Sequence, residues 1–219
     1  MNKLRVIYKT LFKAFGPQHW WPGDTPFEIA VGAILTQNTN WGNVEKAIDN
    51  LRAARALSAQ KIHEMPIDKL AALIRPAGYF NIKAKRLKAF ISFLMKNYHG
   101  SMKKMKSDDM RLLREKLISV NGIGPETADS ILLYAVEKPI FVIDAYTKRI
   151  LSRHEIMDHD APYEAFQGLF HEALRRDTRL FNEYHALFVR TGKDFCRPKP
   201  LCHTCPLYDM LSSPAKKKL

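Results

Sequence analysis

Apolar residues recur along this chain at helical spacing almost from end to end, and no stretch alternates as a half-buried strand would. The pattern predicts helices over residues 2–15, 27–35, 43–53, 59–65, 67–74, 83–97, 110–118, 125–136, 145–154, 163–175 and 180–190. Local punctuation agrees. Gly16-Pro17 ends the first helix, and Asp24-Thr25-Pro26 opens the second, with proline in the first turn where its missing N–H is not needed. Ser107-Asp108-Asp109 offers an N-cap region ahead of Met110. There is no internal repeat and no long linker, so the fold class expected is all-α.

Length and charge narrow the picture. A chain of 219 residues can bury a real core as one domain or two small ones. No apolar run approaches the ~20 residues that a spanning helix needs. The start, MNKLRVIYKTLFKAF, mixes basic residues into an amphipathic pattern without a signal-peptide core or cleavage site, and reads as the first helix of a cytoplasmic protein, although a transit peptide can share that pattern. The formal net charge of +13 favours a polyanionic partner, because each phosphate contact releases counterions. The charge is clustered. Lys83, Lys85, Arg86 and Lys88 form one group, Lys103, Lys104 and Lys106 another, and Lys216, Lys217 and Lys218 a solvated tail.

The densest chemistry lies in LISVNGIGPETADSILLYAVEKPIFVIDAYTKRIL, from Leu117 to Leu151. Val120 leads into a tight turn, Gly122-Ile123-Gly124, followed by Pro125 and a helix carrying Thr127 and Ala128. Such glycines let backbone N–H groups approach a phosphate, and the next helix adds its positive dipole end. The plainer alternative is a structural turn between two helices. Asp144 follows an apolar run and precedes Ala-Tyr-Thr-Lys-Arg, which alone makes it a helix N-cap.

Together these features resemble the helix–hairpin–helix (HhH-GPD) DNA glycosylases of the endonuclease III superfamily. The resemblance implies a two-domain helical fold. A six-helix domain over residues 24–136 ends in the hairpin, and residues 1–23 plus 137–219 form a second helical domain with a C-terminal cysteine loop. Asp144 is then the catalytic carboxylate, facing the cleft between the domains. It would stabilise the positive charge that develops on deoxyribose as an N-glycosidic bond breaks, and orient water. Gly122, Ile123, Gly124 and Thr127 would hold DNA. Members that also cleave the backbone carry a lysine just after the second hairpin glycine. Glu126 stands there and cannot form a Schiff base, so a glycosylase without lyase activity is expected.

Trp20, Trp21 and Trp41 are the only tryptophans, and they flank the helix ending Leu35-Thr36-Gln37-Asn38-Thr39. Aromatic residues of this kind usually belong to a core, but Trp20-Trp21-Pro22-Gly23 reads as a loop. The pairing of Trp-Trp-Pro with Leu-Thr-Gln-Asn-Thr resembles the 3-methyladenine DNA glycosylase III branch, where aromatics hold the flipped base. A cationic alkylated purine suits electron-rich indole faces. Gln37 or Asn38 would fill the hole left by that base, ordinary helix-end capping being the alternative.

Cys196, Cys202 and Cys205 are the only cysteines. They resemble the iron–sulfur loop of the endonuclease III family, with a shorter first gap and Leu211 where a fourth cysteine is expected. A [4Fe–4S] cluster on three thiolates needs Asp209, His203 or an exogenous ligand to complete it. Zinc on three cysteines and His203, or no metal, are the alternatives. The expectation is a monomeric base-excision enzyme acting on double-stranded DNA with a damaged base, in the cytoplasm at the nucleoid, with alkylated purines such as 3-methyladenine as substrates. Its rivals are an endonuclease III-type glycosylase/lyase for oxidised pyrimidines and a non-catalytic DNA-binding module.

Overall fold

The computed structural model describes residues 2–20 and 23–212, and these are helical without a strand. Contacts divide the chain into two units, Met1–Trp20 with Pro139–Leu219, and Trp21–Lys138.

The first unit joins the two ends of the chain. It holds α1 (Lys3–Phe15), α10 (Ala145–Arg153), α11 (Tyr163–Ala173) and α12 (Thr178–Asp194). α1 packs on α11 and α12, and α10 packs along α12. The core is a slab of aromatic rings: Phe141 stacks on Phe170 at 3.7 Å between centroids, and Tyr184 stacks on Phe188 at 4.9 Å. Buried Tyr184 donates its hydroxyl to Leu4 O at 2.7 Å, which ties α12 to α1. Arg5 Nε donates to Ala173 O at 2.8 Å, closing the end of α11 onto the same helix. On α12, a β-carbon at Gly192 would lie 2.3 Å from the Tyr146 ring, so the close approach of α10 requires glycine there.

The second unit holds α2 (Pro26–Leu35), α3 (Trp41–Ala53), α4 (Ala59–Glu64), α5 (Ile67–Leu73), α6 (Phe80–Tyr98), α7 (Met102–Lys106), α8 (Met110–Ile118) and α9 (Pro125–Ser130). α9 runs on through a wider π turn over Ile131–Ala135. Here the core is mostly aliphatic, as with Ile34, Ile48, Leu87, Ile91, Leu113 and Ile131. Polar ties cross it. Asp129 is fully buried and takes a bidentate pair from Arg114, at 2.7 and 3.1 Å, which clamps α9 to α8. Glu28, also buried, accepts from Arg52 Nη2, joining α2 to α3.

Capping explains many boundaries. Asn2, Thr25, Asn40, Ser58, Ser101, Asp109, Asp144 and Asp177 each accept a backbone N–H from the first turn of the helix that follows. Several helices depart from the periodicity, with α12 running on to Asp194 rather than 190. α6 begins at Phe80 rather than 83, after Tyr79 in the left-handed region, and α7 is a short helix that the pattern did not separate.

The lysine cluster on α6 is not a uniform solvated face. Lys83 is only 1% exposed, and its ammonium donates to Leu35 O and Ala77 O, both at 2.7 Å. Lys88 caps Ile62 O and His63 O, at 2.7 and 2.8 Å. Only Lys85 of the three lysines is exposed.

Candidate active site and DNA-facing turns

In the unit formed by the chain ends, four consecutive buried residues, Ile140, Phe141, Val142 and Ile143, lead without regular secondary structure to Asp144. A buried segment outside helix and sheet must find partners for its backbone. α11 supplies them. Gln167 Nε2 donates to Phe141 O at 2.7 Å, Phe141 N donates to His171 Nε2 at 3.1 Å, and Ile143 N donates to Tyr163 Oη at 3.2 Å. The run is thus fixed at its backbone and by its side chains, and Asp144 inherits a defined position.

The Asp144 carboxylate divides its two oxygens. Oδ1 accepts the Thr147 N–H at 2.7 Å, capping α10, while Oδ2 lies 3.6 Å from His185 Nε2. The cap fixes the plane of the group and leaves the second oxygen for other work. His185 is 4% exposed, and burial holds its imidazole below the usual histidine range, with Asp144 pulling the other way. Trp20 stacks on it at 5.7 Å and an interplanar angle of 22°. Trp20, His185 and Asp144 therefore form a continuous set. Trp21 lies outside the described residues. His185 could not be foreseen from sequence, since only the fold brings α12 against the start of α10.

In the other unit the hairpin has the expected geometry. Gly122 has φ +84°, Ile123 is buried and its N–H closes onto Val120 O at 3.0 Å, and Gly124 caps α9 with Pro125 in the first turn. Thr127 is buried and its hydroxyl accepts from Gln37 Nε2 at 2.9 Å. The same amide donates to Gly122 O at 3.0 Å, and Gln37 Oε1 accepts from Arg86 Nη1. Gln37 thus turns into the protein, while the next residue, Asn38, is exposed in the left-handed region at φ +54°. Glu126 is exposed on the first turn of α9. Trp41 is half-buried, close against Gly32 of α2, with its indole N–H on Glu45 at 2.8 Å.

The pattern also missed Tyr79. It is 69% exposed and held at φ +45°, where a bulky residue is strained. Gly78-Tyr79 carries a turn signal in sequence, but nothing there reveals that the ring faces solvent.

Cys196, Cys202 and Cys205 line one pocket with Arg153, His154 and Leu211. Arg153 donates to Cys196 Sγ at 3.3 Å and to Arg197 O at 2.6 Å, and Arg149 holds Cys196 O at 2.6 Å. The enclosed space is about 20 Å³. Burial, and the neighbouring sulfurs, push the Cys202 and Cys205 thiols up. Leu211 offers no donor, and among the described residues no group of three or more His, Cys, Asp or Glu side chains is arranged to hold a metal ion. Cysteine supplies three ligands at most, one short of a four-thiolate cluster.

Comparison with known proteins gives this geometry a family. Residues 31–176 match the HhH-GPD superfamily base excision DNA repair protein model. A Methanocaldococcus jannaschii protein named "Putative DNA repair glycosylase MJ1434" is 49% identical over 216 residues, 97% of this chain and 98% of that protein. Endonuclease III of Thermotoga maritima is 28% identical over 82% of this chain and 79% of its own length. Among solved structures, Helicobacter pylori 3-methyladenine DNA glycosylase (MagIII), bound to 1,N6-ethenoadenine, superposes with a TM-score of 0.75 at 29% identity, covering 88% of this chain and 98% of that one. A trapped endonuclease III–DNA covalent intermediate shares the fold, with a TM-score of 0.84 at 20% identity over 99% and 97%.

The chain belongs to the HhH-GPD superfamily of base excision DNA repair proteins. It is a DNA glycosylase of base excision repair, with the two-domain helical fold of that superfamily.

Proposed function

We propose that the protein hydrolyses the N-glycosidic bond of an alkylated purine, such as 3-methyladenine, flipped out of duplex DNA, without cutting the backbone. The observation that carries this is the Asp144 carboxylate, with one oxygen spent on a helix cap and the other beside a stacked His185–Trp20 pair. As the C1′–N bond breaks, its electron pair leaves with the base and positive charge grows on the sugar. Asp144 stabilises that charge and orients a water, whose oxygen bonds to C1′ as its proton passes to the carboxylate. A ring-alkylated purine departs as a neutral base, so little general acid is needed. Trp20 supplies an indole face for a cationic base, with Trp21 and Trp41 as further candidates.

In the hairpin unit, Gly122, Ile123 and Gly124 present backbone to a phosphate, and Glu126 stands where a lyase needs an amine. Of the two amides expected at the turn, Asn38 is the one that enters the duplex, because Gln37 is already committed to the hairpin. Tyr79, exposed and strained, is a second such probe. The cysteine loop acts as a packing element, with Leu207 buried and Arg149 and Arg153 on its carbonyls. Equimolar cluster iron and sulfide in anaerobically purified protein would overturn that last reading.

A panel of duplexes with defined lesions tests the proposal. Excision of 3-methyladenine or 7-methylguanine is expected, with strand breaks only after alkali and no borohydride-trapped enzyme–DNA adduct. Release of oxidised pyrimidines with efficient trapping would instead assign an endonuclease III-type activity.

A further inference from the structure

Three solvent-facing turns of the unit Trp21–Lys138 are joined by two side chains of one helix. The first turn is the hairpin at Gly122–Gly124, the second follows α2 and carries Asn38, and the third precedes α6 and carries Tyr79. From α6, the Lys83 ammonium bridges Leu35 O, at the end of α2, and Ala77 O, two residues before Tyr79, at 2.7 Å each. One turn later, Arg86 donates to Gln37 Oε1, and Gln37 Nε2 donates onward to Gly122 O and Thr127 Oγ1. The Arg86 stem also covers the hairpin. A β-carbon at Gly122 would lie 2.2 Å from Arg86 Cγ, so glycine is needed both for its φ and for this contact.

We propose that Lys83, Arg86, Gln37 and Thr127 are positioning residues that couple the hairpin to the two probing turns, so that a phosphate seated on the hairpin fixes where Asn38 and Tyr79 stand against the duplex. The inference rests on the reading of Asn38 and Tyr79 as probes of a base-flipping enzyme. Hydrogen bonds suit this role better than apolar packing. They are directional, and a satisfied network has few alternative geometries. The Gln37 amide is the hinge piece, since it accepts from α6, donates to the hairpin, and is bonded in sequence to Asn38.

The competing explanation is that these bonds only stabilise the fold. Paired substitutions separate the two. Thr127→Val is nearly isosteric and removes the acceptor, whereas Thr127→Ser keeps a hydroxyl. Gln37→Glu can still accept from Arg86 but cannot donate to Gly122 O or Thr127 Oγ1. The probe is a duplex carrying 3-methyladenine with 2-aminopurine as the neighbouring base, whose fluorescence reports unstacking. Thr127→Val and Gln37→Glu should each lower the single-turnover excision rate and the fluorescence rise by about tenfold or more, as for a small misplacement near a reacting group. Affinity for undamaged duplex should fall far less than the excision rate, because Thr127 is buried beneath the hairpin and the backbone of Gly122–Gly124 meets the phosphate. Thr127→Ser should behave as wild type, and the double variant Gln37→Glu/Thr127→Val should be no slower than Gln37→Glu alone. Rates that fall in step with melting temperature, equal behaviour of the valine and serine variants, or multiplying effects in the double variant would overturn the coupling. A wild type that excises no lesion from any duplex would instead remove the functional reading beneath it.

Discussion

The two units are held together by different materials. The unit built from the chain ends rests on stacked rings, with Phe141, Phe170, Tyr184 and Phe188 packed face to face or edge on. The unit Trp21–Lys138 has an aliphatic core crossed by buried charges, Lys83 on two carbonyls, Asp129 on Arg114 and Glu28 on Arg52. Rings give a stiff floor under the run that carries Asp144. Charged ties give less apolar burial but fix distances between turns. The difference suggests a division of labour, with chemistry on a rigid floor and DNA contact on linked turns.

The sharpest break concerns the chemistry. Asp144→Asn keeps a capping oxygen for Thr147 N but removes the charge, so single-turnover excision should fall by about 10³-fold or more, roughly 4 kcal/mol of barrier, while duplex binding persists. Unchanged turnover would reassign the carboxylate to capping alone. Next come the two cores. Phe170→Ala should cost about 3–5 kcal/mol in denaturant unfolding through lost stacking and a cavity. Asp129→Asn should cost about 3 kcal/mol or more by leaving the Arg114 guanidinium without its carboxylate partner. If the polar substitution proves harmless, the buried pair does not hold the hairpin helices.

Trp20→Ala should weaken recognition of a cationic purine by about 1–3 kcal/mol. The loss should be smaller for neutral hypoxanthine. Equal losses on both, tracking the melting temperature, would return Trp20 to a structural role.

The smallest effect is a pH slope. Burial, and after it the nearby Arg86 charge, lower Lys83 to about 8 in the folded chain. The unfolded lysine titrates near its ordinary value, so between the two the unfolded state binds more protons and stability rises with pH. Wild type should therefore gain stability relative to Lys83→Met from pH 8 towards pH 10, by up to about 1.4 kcal/mol per unit. A flat difference would mean that the two carbonyls hold the ammonium charged despite its burial.

Most of the helices could be read from sequence because apolar spacing and capping residues act locally. α7 escaped because its five residues include three lysines and only Met102 and Met105 face inward. The π turn escaped because Ile-Leu-Leu-Tyr-Ala is apolar throughout and carries no period. The candidate site divides in the same way. The hairpin and Asp144 announce themselves by turn and cap chemistry. The inward commitment of Gln37, the burial of Lys83 and the approach of His185 to Asp144 depend on partners distant in the chain, which local pattern does not encode.

The union of the first helix with the last ones also has a consequence for synthesis. The hairpin unit is contiguous, so it can fold as soon as Lys138 has left the ribosome. α1 precedes that unit in the chain but must wait for Ala173 and Tyr184, which hold Arg5 and Leu4. The floor beneath Asp144 is therefore completed only after α11 and α12 have been made, later than the contiguous unit.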